Sequence, residues 1–439
     1  MDVLACLLYA VVGTCVACIA ACLPGLHVYN VAAVVLLLVR EGPLGRATQP
    51  WVMLFLGMVV GYSIASAIPA VFFSAPDESS VWIVSPAHGY LLRSRGYEAL
   101  ALTIVGGLGG LWVLIATAPL AGRVSSTARQ IVQPHLHWIV GALTLFLLLS
   151  EWPRDPRRGS TALGRLLMAW VPLLAGLGTF LLSGILGLVL SFRPMVPPAM
   201  SLQGFVPAFV GLFAVPWVLQ NLVSRAQIPQ QYIPRSLDAS LSLTLAGTAA
   251  GALGGLIAAF LPAVTGGLGA LLAGHATAQR DERTFLVAQG ATRVVYYVGA
   301  LVLFLAPGPP FTSGGMASML APVYTPRSER EYWLSIAAIA ICGAVASLLS
   351  LALGQWAARI AGGHSSRRLS LGVLVTLLVM VGGLAGARGI LVTLAATGVG
   401  LIPVAFGSRR ANCLGILLLP MLLDATGATP MVARWLGLG

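Results

Sequence analysis

Long apolar runs, separated by short polar clusters, fill almost the whole chain. A run of about 20 apolar residues is long enough to cross a hydrocarbon core of about 30 Å as a helix. Such runs lie near residues 2–22, 50–74, 98–121, 136–151, 162–192, 204–222, 239–260, 283–306, 332–356, 369–386, 388–406 and 411–426. The pattern therefore predicts an all-α polytopic membrane protein with about 10–12 transmembrane helices.

A short sequence recurs in the two halves of the chain. IAACLP at residues 19–24 returns as IAAFLP at 257–262, an offset of 238 residues, and the same offset pairs Gly13 with Gly251. Each match ends an apolar run in a proline, and the apolar piece that follows is too short to span alone. We predict two structural repeats, inverted in the membrane, each with a Pro-broken or re-entrant helix.

The predicted organisation is a first transmembrane repeat, a polar connecting segment and a second transmembrane repeat, at residues 1–225, 226–238 and 239–439. Duplicated halves with a broken helix in each are typical of secondary transporters, whose binding site lies near the bilayer midplane. The unwound residues free backbone N–H and C=O groups, and the N-terminus of a half-helix attracts an anion.

Composition narrows the functional classes. Only 9% of the residues are charged, against about 25% in soluble domains, so no soluble catalytic domain is expected. The basic residues behind the net charge of +12 are all arginine and lie scattered in short connections, which favours headgroup contact and not nucleic-acid binding. No Walker loop, G-x-S-x-G or H-E-x-x-H motif occurs. We therefore predict a multi-pass protein of the cell (inner or cytoplasmic) membrane that is not an enzyme and holds no cofactor; a coupling ion, Na⁺ or H⁺, stays open.

The first break places three hydrogen-bonding side chains beside a helix breaker. Pro24 and Gly25 open the helix, and His27, Tyr29 and Asn30 follow within one turn. These side chains can bind a substrate or an ion, with His27 titrating near neutral pH. Alternatively, they cap the freed backbone groups.

The second break, after Pro262, has a different polar composition. Thr265 takes the place of His27 at the same offset, and Gly266 and Gly267 allow a ligand to approach the backbone closely. Binding and plain helix packing both stay open for these residues.

The next apolar run carries a polar stripe. Gln289, Arg293, Tyr296 and Tyr297 fall at i, i+4, i+7 and i+8, on one helix face. An intramembrane arginine usually faces the protein interior and has a partner. Arg293 can clamp an anionic substrate, pair with a carboxylate, or extend to the headgroups.

A polar loop between the second and third predicted spans contains Asp77, Glu78, His88 and Glu98. These side chains can belong to a gate, or the loop can be an ordinary solvated connection with a short interfacial helix. Their spacing matches no compact set of metal ligands, so we predict no metal site.

Four stretches, in order along the chain, are similar to a known family. They are LPGLHVYN; the loop with Ala75-Pro76-Asp77, Pro86-Ala87-His88, Leu91-Leu92 and Gly96-Tyr97-Glu98-Ala99; LLSGILGLVLSF with GFVPAFVGLFAVP; and GVGLIPVAFGSRRANCLGILLLP. Together they resemble the large membrane subunit of the tripartite tricarboxylate transporters, the TctA family, especially its stand-alone archaeal-type members.

The resemblance implies a helical carrier of two related repeats that is driven by an ion gradient and moves carboxylates such as citrate. The family's Pro-Gly breaks fall on Pro24-Gly25 and on Pro262-Ala263, so the second site departs from the family pattern. Three-part systems include a soluble binding protein and a small membrane subunit. This chain is shorter and closer to the solitary branch, so both partners stay open, as does a homo-oligomer.

We predict a secondary active transporter that moves a small organic anion of the carboxylate class by alternating access, coupled to an ion gradient. One alternative cargo is a lipid-linked phosphate, since LPAVTGG is similar to the Pro-Gly-Val-Ser-Gly-Gly stretch of bacterial polyprenyl-phosphate translocases. A second alternative is a non-transporting membrane subunit or scaffold, for which replacing Arg293 or His27 would leave activity intact.

Overall fold

The structure is a computed structural model that describes residues 2–41, 48–152, 161–194, 204–223, 227–234, 236–261, 264–277, 281–308, 311–326 and 328–438. Over these residues it is all-helical, apart from an isolated antiparallel bridge between Gln227 and Ser365. Nine described segments are long and apolar enough to cross a membrane, or ten if the bent pair Arg410–Ala425 and Thr429–Trp435 forms one span. The prediction of an all-α polytopic membrane protein is confirmed.

The helices are α1 (Val3–Ala21), α2 (Val28–Glu41), α3 (Gln49–Ala65), α4 (Ala67–Phe72), α5 (Val81–Leu92), α6 (Gly96–Thr117), α7 (Ala121–Val132), α8 (Leu136–Leu149), α9 (Ala162–Phe192), α10 (Val206–Phe209), α11 (Val215–Val223), α12 (Leu241–Phe260), α13 (Gly266–Ala276), α14 (Glu282–Leu305), α15 (Gly315–Leu320), α16 (Glu329–Ala361), α17 (Ser366–Phe406), α18 (Gly415–Ala425) and α19 (Thr429–Trp435). A π-helical turn, Val210–Ala214, joins α10 to α11, and a 3-10 turn, Arg410–Leu414, precedes α18.

One long predicted segment is divided in the structure. The predicted span 50–74 is divided at Ser66 into α3 and α4, and Pro69, which has no N–H to donate, lies in the first turn of α4. The boundary predicted between the spans 369–386 and 388–406 coincides with a kink in α17 at Gly386, whose dihedrals are non-helical (φ 61°, ψ −158°).

The chain divides into two compact units, which are described separately. Unit 1 comprises Met1–Arg129 and Gln220–Thr376, and unit 2 comprises Gln130–Leu219 and Leu377–Gly439. Each unit therefore draws on both halves of the sequence.

Unit 1 is built on close crossings between α1 and α3 and between α12 and α14. If Gly13 were replaced by a residue with a side chain, its Cβ atom would lie 2.1 Å from the carbonyl oxygen of Leu54. A Cβ atom added at Gly251 would likewise lie 2.3 Å from the carbonyl oxygen of Ala288. Since a side chain fits at neither position, the backbones touch directly, as in other small-residue crossings between membrane helices. These crossings hold α3 and α14 in the centre of unit 1.

In the described part of unit 2, the carboxylate of Glu151 is buried. Glu151 lies at the C-terminal end of α8 and is 8% exposed. Its Oε1 accepts hydrogen bonds from the backbone N–H of Arg409 and from Nδ2 of Asn412 at 3.2 Å. Glu151 thereby fixes the turn that leads into α18.

We expect Glu151→Ala to lower the stability of unit 2 by about 1–3 kcal/mol, because the two donors from Arg409 and Asn412 lose their acceptor inside the protein. Thermal unfolding of the purified protein in detergent measures this change. Glu151→Gln keeps a carbonyl acceptor and is the matched control, with a smaller loss. Equal melting of Glu151→Ala and the unsubstituted protein would contradict the proposed anchoring.

Candidate functional site

The first break lies in unit 1, between α1 and α2. Gly25 adopts a left-handed backbone (φ 79°), which turns the chain after Pro24. The side chain of His27 then folds back, and its Nδ1 accepts the backbone N–H of Tyr29 at 3.2 Å. His27 therefore caps the start of α2. Since Nδ1 is an acceptor, the neutral imidazole carries its proton on Nε2.

Aromatic rings surround His27. Its ring centroid lies 4.4 Å from that of Tyr29, 4.7 Å from that of Tyr62 and 5.7 Å from that of Tyr297. Nε2 lies 3.0 Å from the Tyr297 hydroxyl, which donates to Oε1 of Glu78 at 3.1 Å. Nε2 is also 3.5 Å from the same Glu78 oxygen. The three side chains form one connected chain of hydrogen bonds.

Asp77, the neighbour of Glu78, is fixed by four donors. Its Oδ1 accepts the N–H and the hydroxyl of Ser79 and the N–H of Ser80, at 2.8–3.1 Å. Its Oδ2 accepts the Tyr62 hydroxyl at 2.7 Å. These bonds hold the loop 73–80 in a tight turn and give each oxygen of the Asp77 carboxylate at least one donor.

Arg293 lies on α14, one turn before Tyr297, and is 1% exposed. Its NH2 group donates to the carbonyl of Ser63 at 2.8 Å and to the hydroxyl of Ser66, at the break between α3 and α4. Among the described residues, no carboxylate lies within ion-pairing distance of its guanidinium, and its buried Nε has no acceptor. An orientation towards the headgroups is excluded by this burial.

The side chain of Gln289, one turn earlier on α14, is also 1% exposed. Within the described part of the chain, its Oε1 has no hydrogen-bond donor. Among the described residues, the interior next to α14 therefore contains a guanidinium N–H without an acceptor and an amide oxygen without a donor. Buried polar atoms without partners are rare in native proteins and mark a place where a ligand can bind.

The N-terminus of α13 packs against the loop 73–80. Thr265 is the N-cap residue, and its hydroxyl accepts the N–H of Leu268 at 3.4 Å. A Cβ atom at Gly267 would lie 2.5 Å from the carbonyl oxygen of Glu78, and one at Gly266 would lie 3.1 Å from the Tyr296 ring. The two glycines thus allow the second broken segment to approach the Glu78 backbone.

The side chains of His27, Asp77 and Glu78 also have the ligand atoms of a cation site. Ligand atoms of His27, Asp77 and Glu78 all lie within 4.8 Å of one another. Three donors already occupy Oδ1 of Asp77, whereas Oδ2 accepts only the Tyr62 hydroxyl. This oxygen, Nε2 of His27 and Oε1 of Glu78 are each engaged in a hydrogen bond within the protein, which a bound cation would have to replace.

The structure brings most of the predicted site residues together in unit 1. Around the first break, the loop 73–80 and α14 lie Pro24, Gly25, His27, Tyr29, Asn30, Asp77, Thr265, Gly266, Gly267, Gln289, Arg293, Tyr296 and Tyr297. Pro262 lies outside the described residues.

The other two loop candidates have different surroundings. Glu98 lies at the start of α6, where its carboxylate accepts two hydrogen bonds from Arg95, each 2.6 Å long. His88 is half-buried on α5, and the described residues provide it with no hydrogen-bond partner in this cluster. Within the described part of the chain, no hydrogen bond or ion pair links either residue to the other site residues, and their role as a gate stays a prediction.

Sequence analysis missed several residues that complete the cluster. They are Tyr62, Ser63, Ser66, Ser79 and Ser80. For three of them a signal was present, since GYSIAS interrupts an apolar run with hydroxyl groups on neighbouring turns. Glu78 was named only as one of the polar loop residues, because an acidic loop residue is usually solvated.

Comparisons with known proteins show which family this sequence is similar to. The family model described as "Tripartite tricarboxylate transporter TctA family" matches residues 7–415. The uncharacterised protein MJ1079 of Methanocaldococcus jannaschii is 22% identical over 422 residues, which are 95% of this chain and 98% of that protein. No solved structure matches significantly. The resemblance found in the sequence is confirmed.

Proposed function

This chain belongs to the tripartite tricarboxylate transporter TctA family and is thus a transporter component, and from that premise we propose that it moves a small carboxylate itself. In this proposal it is a secondary active transporter of the cell membrane that works by alternating access and is coupled to an ion gradient. The single observation that carries the proposal is Arg293, a buried guanidinium that donates to the α3–α4 break and whose Nε has no acceptor among the described residues.

Internal duplication supports this proposal. α12 begins 238 residues after α1, and α13 begins 238 residues after α2, the same offset that relates IAACLP to IAAFLP. Helix starts and sequence thus repeat together, which favours two repeats that each place a broken helix in the membrane.

The electrostatics favour an anionic substrate. Arg293 places a full positive charge in the interior of unit 1, and the N-terminal ends of α2 and α13 each carry a partial positive charge. A carboxylate would accept a hydrogen bond from Nε of Arg293, and a substrate hydroxyl would donate to Oε1 of Gln289. The ligand would thereby satisfy both unused atoms.

The proposed cycle requires the site to open. Arg293 is 1% exposed, and the side chains of His27 and Glu78 are 13% and 11% exposed. This degree of burial corresponds to an occluded conformation of the described residues. Movement of α2 or of the loop 73–80 would expose the guanidinium to one side of the membrane at a time.

Transport by the purified chain in proteoliposomes tests this proposal. We expect uptake of radiolabelled citrate, or of another member of a panel of mono-, di- and tricarboxylates, when a pH or Na⁺ gradient is imposed. Empty liposomes and collapsed gradients serve as controls. The absence of gradient-dependent flux for every carboxylate, from a monodisperse preparation, would contradict the proposal.

The same preparation also tests whether the cargo is a lipid-linked phosphate and whether transport depends on further subunits. Gradient-independent transfer of a fluorescent short-chain polyprenyl phosphate between leaflets, without carboxylate uptake, would favour a lipid-linked phosphate. Flux that appears only when a binding protein and a small membrane subunit are supplied would favour a three-part system over a solitary transporter. We expect neither polyprenyl phosphate transfer without carboxylate uptake nor a flux that depends on added subunits.

A further inference from the structure

Glu78 and Asp77 are adjacent carboxylates with different hydrogen bonding. Both oxygens of Asp77 are occupied, by four donors in all. Glu78 instead accepts from the Tyr297 hydroxyl at 3.1 Å and has His27 Nε2 at 3.5 Å. Asp77 is therefore held as a structural anion, and Glu78 is the carboxylate that is free to take up a proton.

His27 connects this carboxylate to the broken helix. Its Nε2–H donates to Tyr297, whose hydroxyl donates to Glu78, while its Nδ1 accepts the N–H of Tyr29. A proton that binds at Nδ1 turns this acceptor into a donor facing the donor of Tyr29. The cap at the start of α2 cannot survive that change.

We propose that Glu78, Tyr297 and His27 form a proton-binding site whose loading releases the first turn of α2. A proton from solution binds at Nδ1 of His27. The Nε2 proton then passes to the Tyr297 oxygen, and the Tyr297 proton passes to Glu78. The result is a neutral Glu78 and a neutral His27 that carries its proton on Nδ1. One proton is gained overall, and no bond between heavy atoms changes.

The surrounding groups limit where the proton can go. Tyr29 faces His27 from α2, Tyr62 from α3 and Tyr297 from α14. The loop 73–80 contributes Asp77, which is fully hydrogen-bonded, and Glu78; Arg293 lies one turn from Tyr297 and stays cationic. Glu78 is thus the end of the relay. This inference rests on the proposed function, since it names a proton as the coupling ion.

Infrared difference spectroscopy of the purified full chain tests proton uptake without any transported substrate. Lowering the pH is expected to produce a protonated-carboxyl band that is absent in Glu78→Gln. The matched control is Glu331→Gln, because Glu331 also accepts a tyrosine hydroxyl, that of Tyr324 at 2.9 Å. A band that persists in Glu78→Gln, or one that is lost in the control, would overturn the assignment.

Hydrogen exchange of the segment around Tyr29 tests the release of α2. After correction for the intrinsic rate, acidification should raise its exchange about tenfold in the unsubstituted protein, as expected for one lost hydrogen bond. His27→Gln, which does not titrate, should show no such rise. A cap that stays protected at low pH, or one that Na⁺ or Zn²⁺ releases at fixed pH, would refute the relay. If both proton signals appear but no carboxylate is transported, only the proposed function fails.

Discussion

Replacing Arg293 by glutamine is expected to lower carboxylate uptake by about 100-fold or more, measured as initial rate in proteoliposomes. Removing one partner of a buried, hydrogen-bonded charge pair costs about 2–5 kcal/mol, and each 1.4 kcal/mol is about tenfold. Glutamine is two bonds shorter than arginine, so its amide reaches the position of Nε but not that of the NH2 group that donates to Ser63 and Ser66. The loss would therefore combine the missing positive charge with the missing contact to the α3–α4 break.

Arg283 is the matched control for this experiment. It lies on the same helix, but its guanidinium pairs at the surface with Asp238 at 3.0 Å. An exposed pair contributes about 0.2–1 kcal/mol, so Arg283→Gln should change uptake by no more than a few fold. Arg293→Lys should recover only part of the rate, because an ammonium group lacks the planar fork. Full uptake by Arg293→Gln would exclude the guanidinium as substrate ligand and would favour a purely structural or scaffold role.

The helical architecture and the two breaks could be predicted from sequence, because their causes are local. The length of an apolar run follows from the thickness of the bilayer, and Pro24 removes a backbone donor wherever it lies. The stripe containing Arg293 and Tyr297 also follows from a local rule, the helical period of 3.6 residues. Each of these features depends on neighbours in the chain alone.

The partners of these residues could not be predicted, because they depend on tertiary packing. Tyr297 meets Glu78 across a separation of 219 residues, and Arg293 meets Ser63 across 230. An acidic residue in a polar loop is usually solvated, and only the fold of α13 and α14 over the loop 73–80 buries Glu78. Conversely, Glu98 pairs with Arg95, three residues away, which spacing on a helix can suggest.

Gly290→Ala is expected to have a large effect on folding, because α14 crosses α6 at this residue with backbone in contact. An added Cβ would lie 1.8 Å from the carbonyl oxygen of Thr103. The two helices would have to separate, and overpacking of this kind costs about 1–3 kcal/mol or more. The same movement would displace Arg293 and Tyr297 from hydrogen bonds of 2.8 Å and 3.1 Å, which weaken steeply with distance. Thermal unfolding in detergent, followed by size-exclusion chromatography, should show an earlier melt or no folded peak.

Gly372→Ala provides the comparison, since Gly372 lies on α17 within unit 1 and a Cβ there meets nothing within 4 Å. Alanine is the better helix former by about 1 kcal/mol, so this variant should melt no earlier than the unsubstituted protein. A general sensitivity of the protein to glycine replacement would lower both melting temperatures and would contradict the argument. If only Gly290→Ala melts early and loses uptake, close contact between α6 and α14 is what holds the guanidinium, the tyrosine and Glu78 in register.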